Sequence, residues 1–352
     1  MKDTKIQSKV SLRANKFSKK NNYTVVDLFS GVGGLSLGFK ENGFNIVFAN
    51  DNNKDAGETF IYNHPKTKFF LGDVQKIDTL KLKKYIGHSK IDVLVGGVPC
   101  QSFSMVGYRT TKKEANSSDP RNFLFKEFIR IAKILQPKVV IIENVKAILS
   151  SHGGRIRDQI ISDLQNIGYK VDYAILNAAD YGVPQLRERT IFMGNNMGLQ
   201  NIFPEKTHSP KNYVSVNEAF EDLPSANHEP RTLKGDVLRR VKLIKPGLNW
   251  KSLPKELQTG SKHSGAYGRL DPNKPSRTLT TRFDTPPGGY VTHPSENRAI
   301  TVREGARIQS FPDNFIFIGN KISQYKQVGN AVAVGVSREL AKAVKKMLKK
   351  NG

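Results

Sequence analysis

Residues 27–34 read Asp-Leu-Phe-Ser-Gly-Val-Gly-Gly, and this stretch decides the fold of the chain. It overlaps the end of the apolar run Thr24–Leu28 and precedes a helical pattern at Leu35–Asn42. Glycines between a strand and a helix let the backbone turn tightly and approach a ligand, while the first turn of the helix offers free N–H groups. The stretch therefore predicts the first strand–turn–helix unit of an α/β domain that binds a nucleoside-containing ligand.

The alternation of apolar runs and helical patterns continues along the chain. Strands are predicted at Thr24–Leu28, Ile46–Ala49, Lys68–Leu71, Asp92–Gly96 and Val139–Glu143, with further strands at Val171–Asn177 and Thr190–Gly194. Helices are predicted at Leu35–Asn42, Ala56–Asn63, Phe123–Leu135 and Val332–Lys349. Strands that alternate with helices indicate a mostly parallel sheet flanked by helices. The expected fold class is therefore α/β and Rossmann-like.

Two carboxylates follow predicted strands and suit a nucleoside ligand. Asp51 comes after the second strand, 20 residues past Gly31, where it is placed to accept hydrogen bonds from a ribose. Asp73 follows the third strand and is placed to accept a hydrogen bond from an adenine amino group. The pattern departs from the dinucleotide fingerprint, because Ser36 stands where its last glycine belongs. Asp51 fits NAD and S-adenosylmethionine equally well, so these residues leave the cofactor open.

Three further segments bring reactive side chains to strand ends. Cys100 follows the fourth strand, and its thiol is a candidate nucleophile if its surroundings stabilise the thiolate. Glu143 ends the next strand on the same edge, as either a strand-end cap or a general acid. Arg187 and Arg189 start a later strand, and alternation places them on one face with Glu188 opposite. Each segment alone is a weak sign of catalysis.

The composition of the sequence changes along the chain and predicts its domains. Residues 1–22 carry seven Lys/Arg against one Asp, which predicts a flexible basic arm. Residues 23–196 and 325–352 are expected to form the cofactor-binding domain. Residues 197–324 are expected to form a second, loop-rich domain with its hinge. Within them, residues 229–262 hold nine Lys/Arg against three Asp/Glu, which suits contact with a polyanion.

Charge and cysteine content narrow the class of protein. The formal net charge of +25 and the pI of about 9.9 predict a polyanionic partner, usually nucleic acid. The single cysteine excludes an intramolecular disulfide and a cysteine-built zinc site. No metal is therefore expected, and a reducing cytoplasm is the expected location. The sequence has no apolar run of about 18 residues and no apolar signal segment, so membrane insertion is not expected.

In combination, these motifs resemble those of one family, the DNA cytosine-5 methyltransferases of bacterial restriction–modification systems. The resemblance covers Tyr23 to about Ser337, except for the variable part of the second domain. The matching segments are residues 27–34, Pro99-Cys100-Gln101, Glu143-Asn144-Val145, Gln185–Arg189, Arg277–Arg282, Arg303–Arg307 with Phe311-Pro312-Asp313, and Gln327–Val334. So many ordered motifs at compatible spacing make a chance match negligible.

The resemblance implies a covalent mechanism on double-stranded DNA. In the family, the thiolate at the position of Cys100 attacks C6 of a flipped-out cytosine. The protonated acid at the position of Glu143 hydrogen-bonds N3, and C5 then takes the methyl group of S-adenosylmethionine. Arg187 and Arg189 match the catalytic arginine pair of the family, with Arg189 expected at cytosine O2. The implied catalytic set is therefore Cys100, Glu143, Arg187 and Arg189.

The same resemblance implies binding residues. Expected to bind S-adenosylmethionine are Phe29, Ser30, Gly31, Gly33, Gly34, Leu35, Asp51, Asp73, Val98, Pro99, Asn330 and Val332. Expected DNA contacts are Gln101, Ser104, Arg109, Arg121 and Asn144. Phe29 would stack on the adenine, and residues 102–122 resemble the loop that closes over the flipped base. The second domain resembles the target-recognition domain, which reads the major groove.

The resulting expectation is a monomeric, sequence-specific DNA methyltransferase that protects host DNA from a separate restriction endonuclease. The nearest alternative is a branch of the family that methylates tRNA, but its usual Cys-Phe-Thr signature is absent here. A noncatalytic DNA-binding relative is a further alternative, although the site residues are all intact. An NAD-dependent oxidoreductase would leave Cys100, Glu143 and the arginine pair unexplained.

Overall fold

The computed structural model describes residues 23–99, 124–261 and 264–351. Its first eight strands are β1 (Thr24–Leu28), β2 (Asn45–Asp51), β3 (Lys68–Leu71), β4 (Val93–Gly97), β5 (Val139–Val145), β6 (Lys170–Asn177), β7 (Gln185–Leu186) and β8 (Glu188–Asn195). All except β7 form one sheet in the order β3-β2-β1-β4-β5-β8-β6. The pairs from β3 to β5 are parallel, whereas β8 runs antiparallel to both of its neighbours.

Helices cover both faces of this sheet and build much of the C-terminal part. They are α1 (Gly34–Glu41), α2 (Lys54–Asn63), α3 (Thr79–Ile86), α4 (Leu124–Leu135), α5 (Arg155–Gln165), α6 (Val216–Ala219), α7 (Gly235–Leu243), α8 (Val302–Ile308), α9 (Lys321–Asn330) and α10 (Val334–Lys350). Among the described helices, none combines the length and apolar character needed to cross a membrane.

Successive strand residues face opposite sides of the sheet and fill two separate cores. Val25 and Ile141 pack on the side covered by α1, α2 and α10. Val26 and Ile142 pack on the side covered by α3, α4 and α5. All four side chains are at most 1% exposed. Full burial of such a side chain contributes about 1.5–3 kcal/mol, so the continuous apolar runs of the sequence fix a sheet that is covered on both faces.

The structure confirms the α/β prediction. Each predicted strand and helix is present with ends that differ by at most two residues, as far as the described residues extend. The sequence analysis did not assign α3 and α5. Both helices carry many charged residues and bury few side chains, so their apolar periodicity is weak.

The C-terminal part shares a core with residues from the first helices of the chain. Aromatic side chains around α8 and α9 pack together with Val32, Leu37 and Ala56 of the first two helical segments. A separate small cluster that includes Val241 and Leu257 supports the basic stretch. Three short strands complete this part, namely β9 (Gly268–Arg269), β10 (Ser276–Arg277) and β11 (Tyr290–Thr292). The predicted domain boundaries stay a prediction.

The topology of the sheet collects the predicted site residues at one edge. The carboxyl ends of parallel strands meet at the same edge, and Asp51, Gly97 and Glu143 end or nearly end β2, β4 and β5. Because β8 is antiparallel to β5, it begins at this edge, and Arg189 pairs with Val145. The same edge therefore receives both the carboxylates and the arginine pair.

Candidate active site

A cleft of about 240 Å³ opens at the carboxyl edge of the sheet. Its lining consists of Phe29, Asn50, Asp51, Asn52, Gly72, Asp73, Val74, Gln75, Pro99 and Leu124. Four of these residues, Phe29, Asp51, Asp73 and Pro99, are among the predicted cofactor residues. A cleft of this size, with aromatic, aliphatic and carboxylate groups around it, suits a nucleoside-containing ligand.

The turn after β1 fits the approach of such a ligand. Gly31 has a φ of 53°, and a Cβ built on it would meet no atom within 4 Å, so the space beside its backbone is open. Its N–H group donates to Asp51 Oδ2 over 2.8 Å, and the N–H group of Asn53 donates to Oδ1 over 2.8 Å. These bonds hold the Asp51 carboxylate in place, and its oxygens still have lone pairs for ribose hydroxyl groups.

The C-terminal segment meets this turn at very short range. A Cβ on Gly34 would lie 2.3 Å from the carbonyl oxygen of Val332, so only glycine permits the contact. The Ser337 hydroxyl donates to the carbonyl oxygen of Leu35 over 2.6 Å. The segment after α9 is therefore packed against the start of α1, as expected for a segment that closes the cofactor side.

Glu143 and Arg189 form an ion pair beside the cleft. Arg189 Nε lies 3.1 Å from Glu143 Oε1, and the two side chains are 17% and 11% exposed. In the β5–β8 register they lie on the same face, diagonally across the antiparallel pair. A Cβ on Gly97 would lie 3.6 Å from Glu143 Oε2 and 3.8 Å from the Phe29 carbonyl oxygen. Among the described residues, Gly97 therefore lies between the Glu143 carboxyl group and Phe29, a residue of the cleft wall.

Arg187 has a different environment from Arg189. Its side chain is buried and donates to the carbonyl oxygens of Leu279, Gly329 and Ala331, each over 3.1 Å. Burial holds the pKa of its guanidinium well below the ordinary value, and Arg189 lowers it further. Arg187 and Arg189 line one small cavity together with Glu143. Glu188 points away and pairs with Lys146.

Asn144 does not have the place expected of a DNA contact. It is 4% exposed, and its amide donates to the carbonyl oxygen of Val98 over 3.2 Å. Its own Oδ1 accepts the N–H of Val145 over 2.8 Å. Since its polar atoms are used inside the protein, we revise its expected role to support of the segment that precedes Cys100.

The remaining predicted residues lie in different surroundings. Ser30 donates through its backbone N–H to the carbonyl oxygen of Asn50, a residue of the cleft wall. Gly33, Leu35 and Val98 are buried, whereas Asn330 is exposed at the end of α9. The residues Cys100, Gln101, Ser104, Arg109 and Arg121 lie outside the described residues.

Sequence reasoning missed several residues of the cleft wall. Asn50 and Asn52 flank Asp51, and Val74 and Gln75 follow Asp73 directly. Asn50 also donates to the carbonyl oxygens of Phe70 and Gly72 and so ties β2 to the segment after β3. Their adjacency to the two predicted carboxylates was the available signal, because residues that follow a strand end share its edge of the sheet.

Asp27, at the start of the glycine-rich stretch, is completely buried. Its Oδ2 accepts from the Ser36 hydroxyl over 2.6 Å, whereas its Oδ1 has no hydrogen-bond partner among the described residues. Burial raises the pKa of the Asp27 carboxyl from 3.8 to about 7, and the hydrogen bonds from Ser36 only partly oppose this. The charged form of the Asp27 carboxyl group is therefore unfavourable at this buried position before the glycine-rich turn.

An Asp27→Asn variant is expected to gain stability relative to the wild type as the pH rises. The folded state holds the Asp27 proton more tightly than the unfolded state does, so this group lowers the free energy of unfolding between about pH 4 and pH 7. The difference between a pKa of 3.8 and one of about 7 corresponds to at most about 4 kcal/mol. Urea unfolding of both proteins across this pH range measures the change.

The matched control for this prediction is Asp236→Asn, which removes an exposed carboxylate from α7. Its difference from the wild type should stay constant across the same pH range to within about 0.5 kcal/mol. An Asp27→Asn difference that is equally constant would mean that the Asp27 carboxyl titrates in its ordinary range.

Comparison with known proteins connects this site with one family. The family of C-5 cytosine-specific DNA methylases matches residues 23–346. The Type II methyltransferase M1.HphI of Haemophilus parahaemolyticus is 38% identical over 335 residues, covering 92% of this chain and 87% of that protein. The Type II methyltransferase M.NgoFVII of Neisseria gonorrhoeae is 35% identical over 347 residues, covering 94% and 88% of the two chains.

Solved structures agree with these matches. A structure described as a DNA modification methyltransferase encoded within an E. coli prophage has a TM-score of 0.73 at 27% identity, over 93% of this chain and 99% of that chain. DNMT2 of Spodoptera frugiperda has a TM-score of 0.65 at 20% identity, over 92% and 99% of the chains, which shows a shared fold alone. The chain belongs to the C-5 cytosine-specific DNA methylases, which transfer a methyl group from S-adenosylmethionine to carbon 5 of cytosine in DNA.

Proposed function

We propose that this methyltransferase works through a covalent bond between Cys100 and C6 of a flipped-out cytosine. The single observation that carries the proposal is the Glu143–Arg189 pair, which lies beside the cofactor cleft at the carboxyl edge of the sheet. Pro99 lines that cleft, so the chain reaches Cys100 directly from its wall. Attack at C6 makes C5 nucleophilic, which an unmodified cytosine C5 is not.

Each described residue of the site has one task in this scheme. Phe29, Asp51 and Asp73 would hold S-adenosylmethionine, which supplies an electrophilic methyl group when it is bound. Glu143 would donate a proton toward cytosine N3, and Arg189 would donate hydrogen bonds to O2. When cytosine enters, Arg189 turns from Glu143 toward O2, and the released carboxylate takes up a proton from solvent, which it then donates toward N3.

We propose that Arg187 positions the site and does not touch the base. Its donors bind three carbonyl oxygens that lie 92, 142 and 144 residues further along the chain. The bonds to Gly329 and Ala331 fix the segment that leads to Val332, and Val332 packs against Gly34. Arg187 thereby fixes the position of the segment around Val332 relative to the Glu143–Arg189 pair.

An Arg187→Met variant is expected to lose about 3 kcal/mol or more of unfolding free energy. Methionine fills the space but leaves the buried carbonyl oxygens of Leu279 and Gly329 without donors, whereas Ala331 keeps a bond from Gln309. Each unsatisfied group costs about 1–3 kcal/mol. An Arg189→Lys variant should lower turnover while changing stability by less than about 1 kcal/mol, because it keeps a cation beside Glu143. Chemical denaturation and steady-state kinetics on both variants measure the contrast. Loss of turnover in a fully stable Arg187→Met variant would instead assign Arg187 to the substrate.

Methylation at one short DNA sequence is the expected product. Bisulfite sequencing of a plasmid of diverse sequence, incubated with the protein and S-adenosylmethionine, should show protected cytosines at one recurring motif. Absence of protection in a protein that binds the cofactor would contradict the proposal and favour an RNA substrate or an inactive relative.

We also propose that this methylation protects host DNA from a separate restriction endonuclease. The curated relatives carry the names of Type II methyltransferases, which supports this role. A plasmid premethylated by this protein should resist an endonuclease that cuts at the mapped sequence. If the premethylated plasmid were cleaved as fast as an unmethylated one, the proposed protective role would be wrong, whereas the methyltransferase activity would still stand.

A further inference from the structure

Arg277 is an exposed residue whose guanidinium lies over an aromatic ring. Its Cζ lies 4.0 Å from the centroid of the Tyr290 ring. Within the described part of the chain, the Arg277 side chain has no hydrogen bond and no ion pair. A cation at this distance over an aromatic face is held in orientation while the N–H groups at its edge stay free.

The ring beneath Arg277 is itself fixed from two sides. A Cβ on Gly268 would lie 2.3 Å from Tyr290 Cγ, so the ring packs directly on the Gly268 backbone. The Tyr290 hydroxyl accepts a hydrogen bond from Asn249 Nδ2 over 2.8 Å. Asn249 is held in turn, since its Oδ1 accepts the N–H of Lys251 over 3.0 Å. The fixed Tyr290 ring therefore restricts the Arg277 guanidinium, so little side-chain conformational entropy is lost when a ligand binds.

Neighbouring arginines of the same region are neutralised by carboxylates. Arg231 and Arg282 both pair with Asp284, at 2.8 Å and 3.2 Å. Arg298 pairs with Glu304 at 2.7 Å. These contacts mark structural arginines, whereas Arg277 keeps its full charge and all its donors available to an external anion.

Arg277 is connected through strand pairing to the segment that carries Arg187. It belongs to β10, which pairs in parallel with β7, and its partner in the register is Leu186. Leu186 is 43% exposed and directly precedes Arg187. The carbonyl oxygen of Leu279, two residues past Arg277, accepts a hydrogen bond from Arg187. Since Arg187 lines the cavity beside Glu143, a nucleotide bound there would bring its flanking phosphates to this side of the protein.

We propose that Arg277, held by Tyr290, binds a backbone phosphate next to the flipped cytosine. The inference rests on the proposed flipping of a cytosine into the pocket beside Glu143. The flat, oriented fork of a guanidinium matches two phosphate oxygens, which a flexible ammonium group matches poorly. A phosphate contact fixes the register of the protein on DNA and carries no sequence information.

DNA binding by the full chain, measured by fluorescence anisotropy at several salt concentrations, tests the proposal without requiring methyl transfer. Arg277→Ala should weaken binding about 10-fold and lower the slope of log affinity against log salt by about one. The loss should be seen on a duplex with the methylated sequence and should not depend on the bases that flank this sequence, because a phosphate contact carries no sequence information. Arg277→Lys and Tyr290→Leu should each lose part of the affinity and keep the salt slope.

The control is Lys346→Ala, which removes one exposed positive charge near the far end of α10. S-adenosylmethionine binding to every variant verifies that the fold is intact. The proposal is overturned if Arg277→Ala weakens binding no more than Lys346→Ala does. It is also overturned if Arg277→Ala changes the DNA sequence that the protein recognises, because Arg277 would then read a base. Because only binding is measured, a failure of the covalent mechanism would leave these results unchanged.

Discussion

Replacing Cys100 by serine is expected to abolish methyl transfer, with turnover lowered at least about 10⁴-fold. Removal of the nucleophile from a covalent enzyme costs on this order or more. A serine hydroxyl is far less acidic than a thiol, so hardly any of it is ionised at neutral pH. Without attack at C6, cytosine C5 stays too weak a nucleophile for the sulfonium methyl group. Radiolabelled methyl transfer to duplex DNA under saturating conditions measures the loss.

DNA and cofactor affinity separate this effect from a folding defect. The cleft residues Phe29, Asp51 and Asp73 are unchanged in the Cys100→Ser variant, and so is the net charge of +25. Both dissociation constants should therefore stay within about threefold of the wild type. A variant that binds both ligands and still methylates at the wild-type rate would defeat the covalent mechanism.

A substrate with fluorine at C5 gives an independent measurement. The covalent route needs loss of the C5 proton before the Cys100 thiol can leave, and a fluorine in that position cannot depart as a proton does. Wild-type protein should therefore accumulate a protein–DNA adduct that survives denaturation, and Cys100→Ser should form none. An adduct in the serine variant would place the nucleophile elsewhere.

The sheet was predictable from the sequence because its strands are apolar on both faces. A run such as Val139–Val145 buries consecutive residues, so both faces of the strand are covered and the sequence shows a nearly continuous apolar run. The short, charged helix α3 lacked such a signal and was missed. The carboxyl-edge placement of Asp51, Asp73 and Glu143 followed from strand order alone, since parallel strands share one edge.

The division of labour within the arginine pair was not predictable. Alternation predicts Arg187 and Arg189 on the same face of a strand, and in the structure both line one cavity. The difference between them comes from Leu279, Gly329 and Ala331, which reach Arg187 from segments far along the chain. The sequence around Arg187 does not indicate which carbonyl groups of distant segments will lie next to its side chain and need a hydrogen-bond donor. The same reason explains why Asn144 was expected at the DNA and lies instead against Val98.

Glu143→Gln is expected to lower turnover about 10²–10⁴-fold with little change in cofactor affinity. The amide has nearly the same shape and still donates a hydrogen bond, but it cannot deliver a proton toward cytosine N3, and general acid catalysis contributes about this factor. The carboxyl group lies next to the Arg189 guanidinium and is 11% exposed, so the substitution acts in a site that is nearly closed to water. Single-turnover methylation at saturating DNA measures the chemical step.

Stability gives the control for this variant, because Glu143 is the carboxylate partner of Arg189. Loss of the ion pair leaves a half-buried guanidinium with its bond to the Glu188 carbonyl oxygen, so a decrease of about 1–3 kcal/mol in unfolding free energy is expected. Glu188→Gln, which removes the exposed partner of Lys146, should change neither turnover nor stability measurably. If Glu143→Gln lost stability and kept full turnover, Glu143 would be a strand-end cap that orients Arg189, and the proton at N3 would need another donor. If turnover falls while cofactor affinity holds, the acid acts on the base itself, since its carboxyl oxygen is separated from the cofactor cleft by the Gly97 backbone.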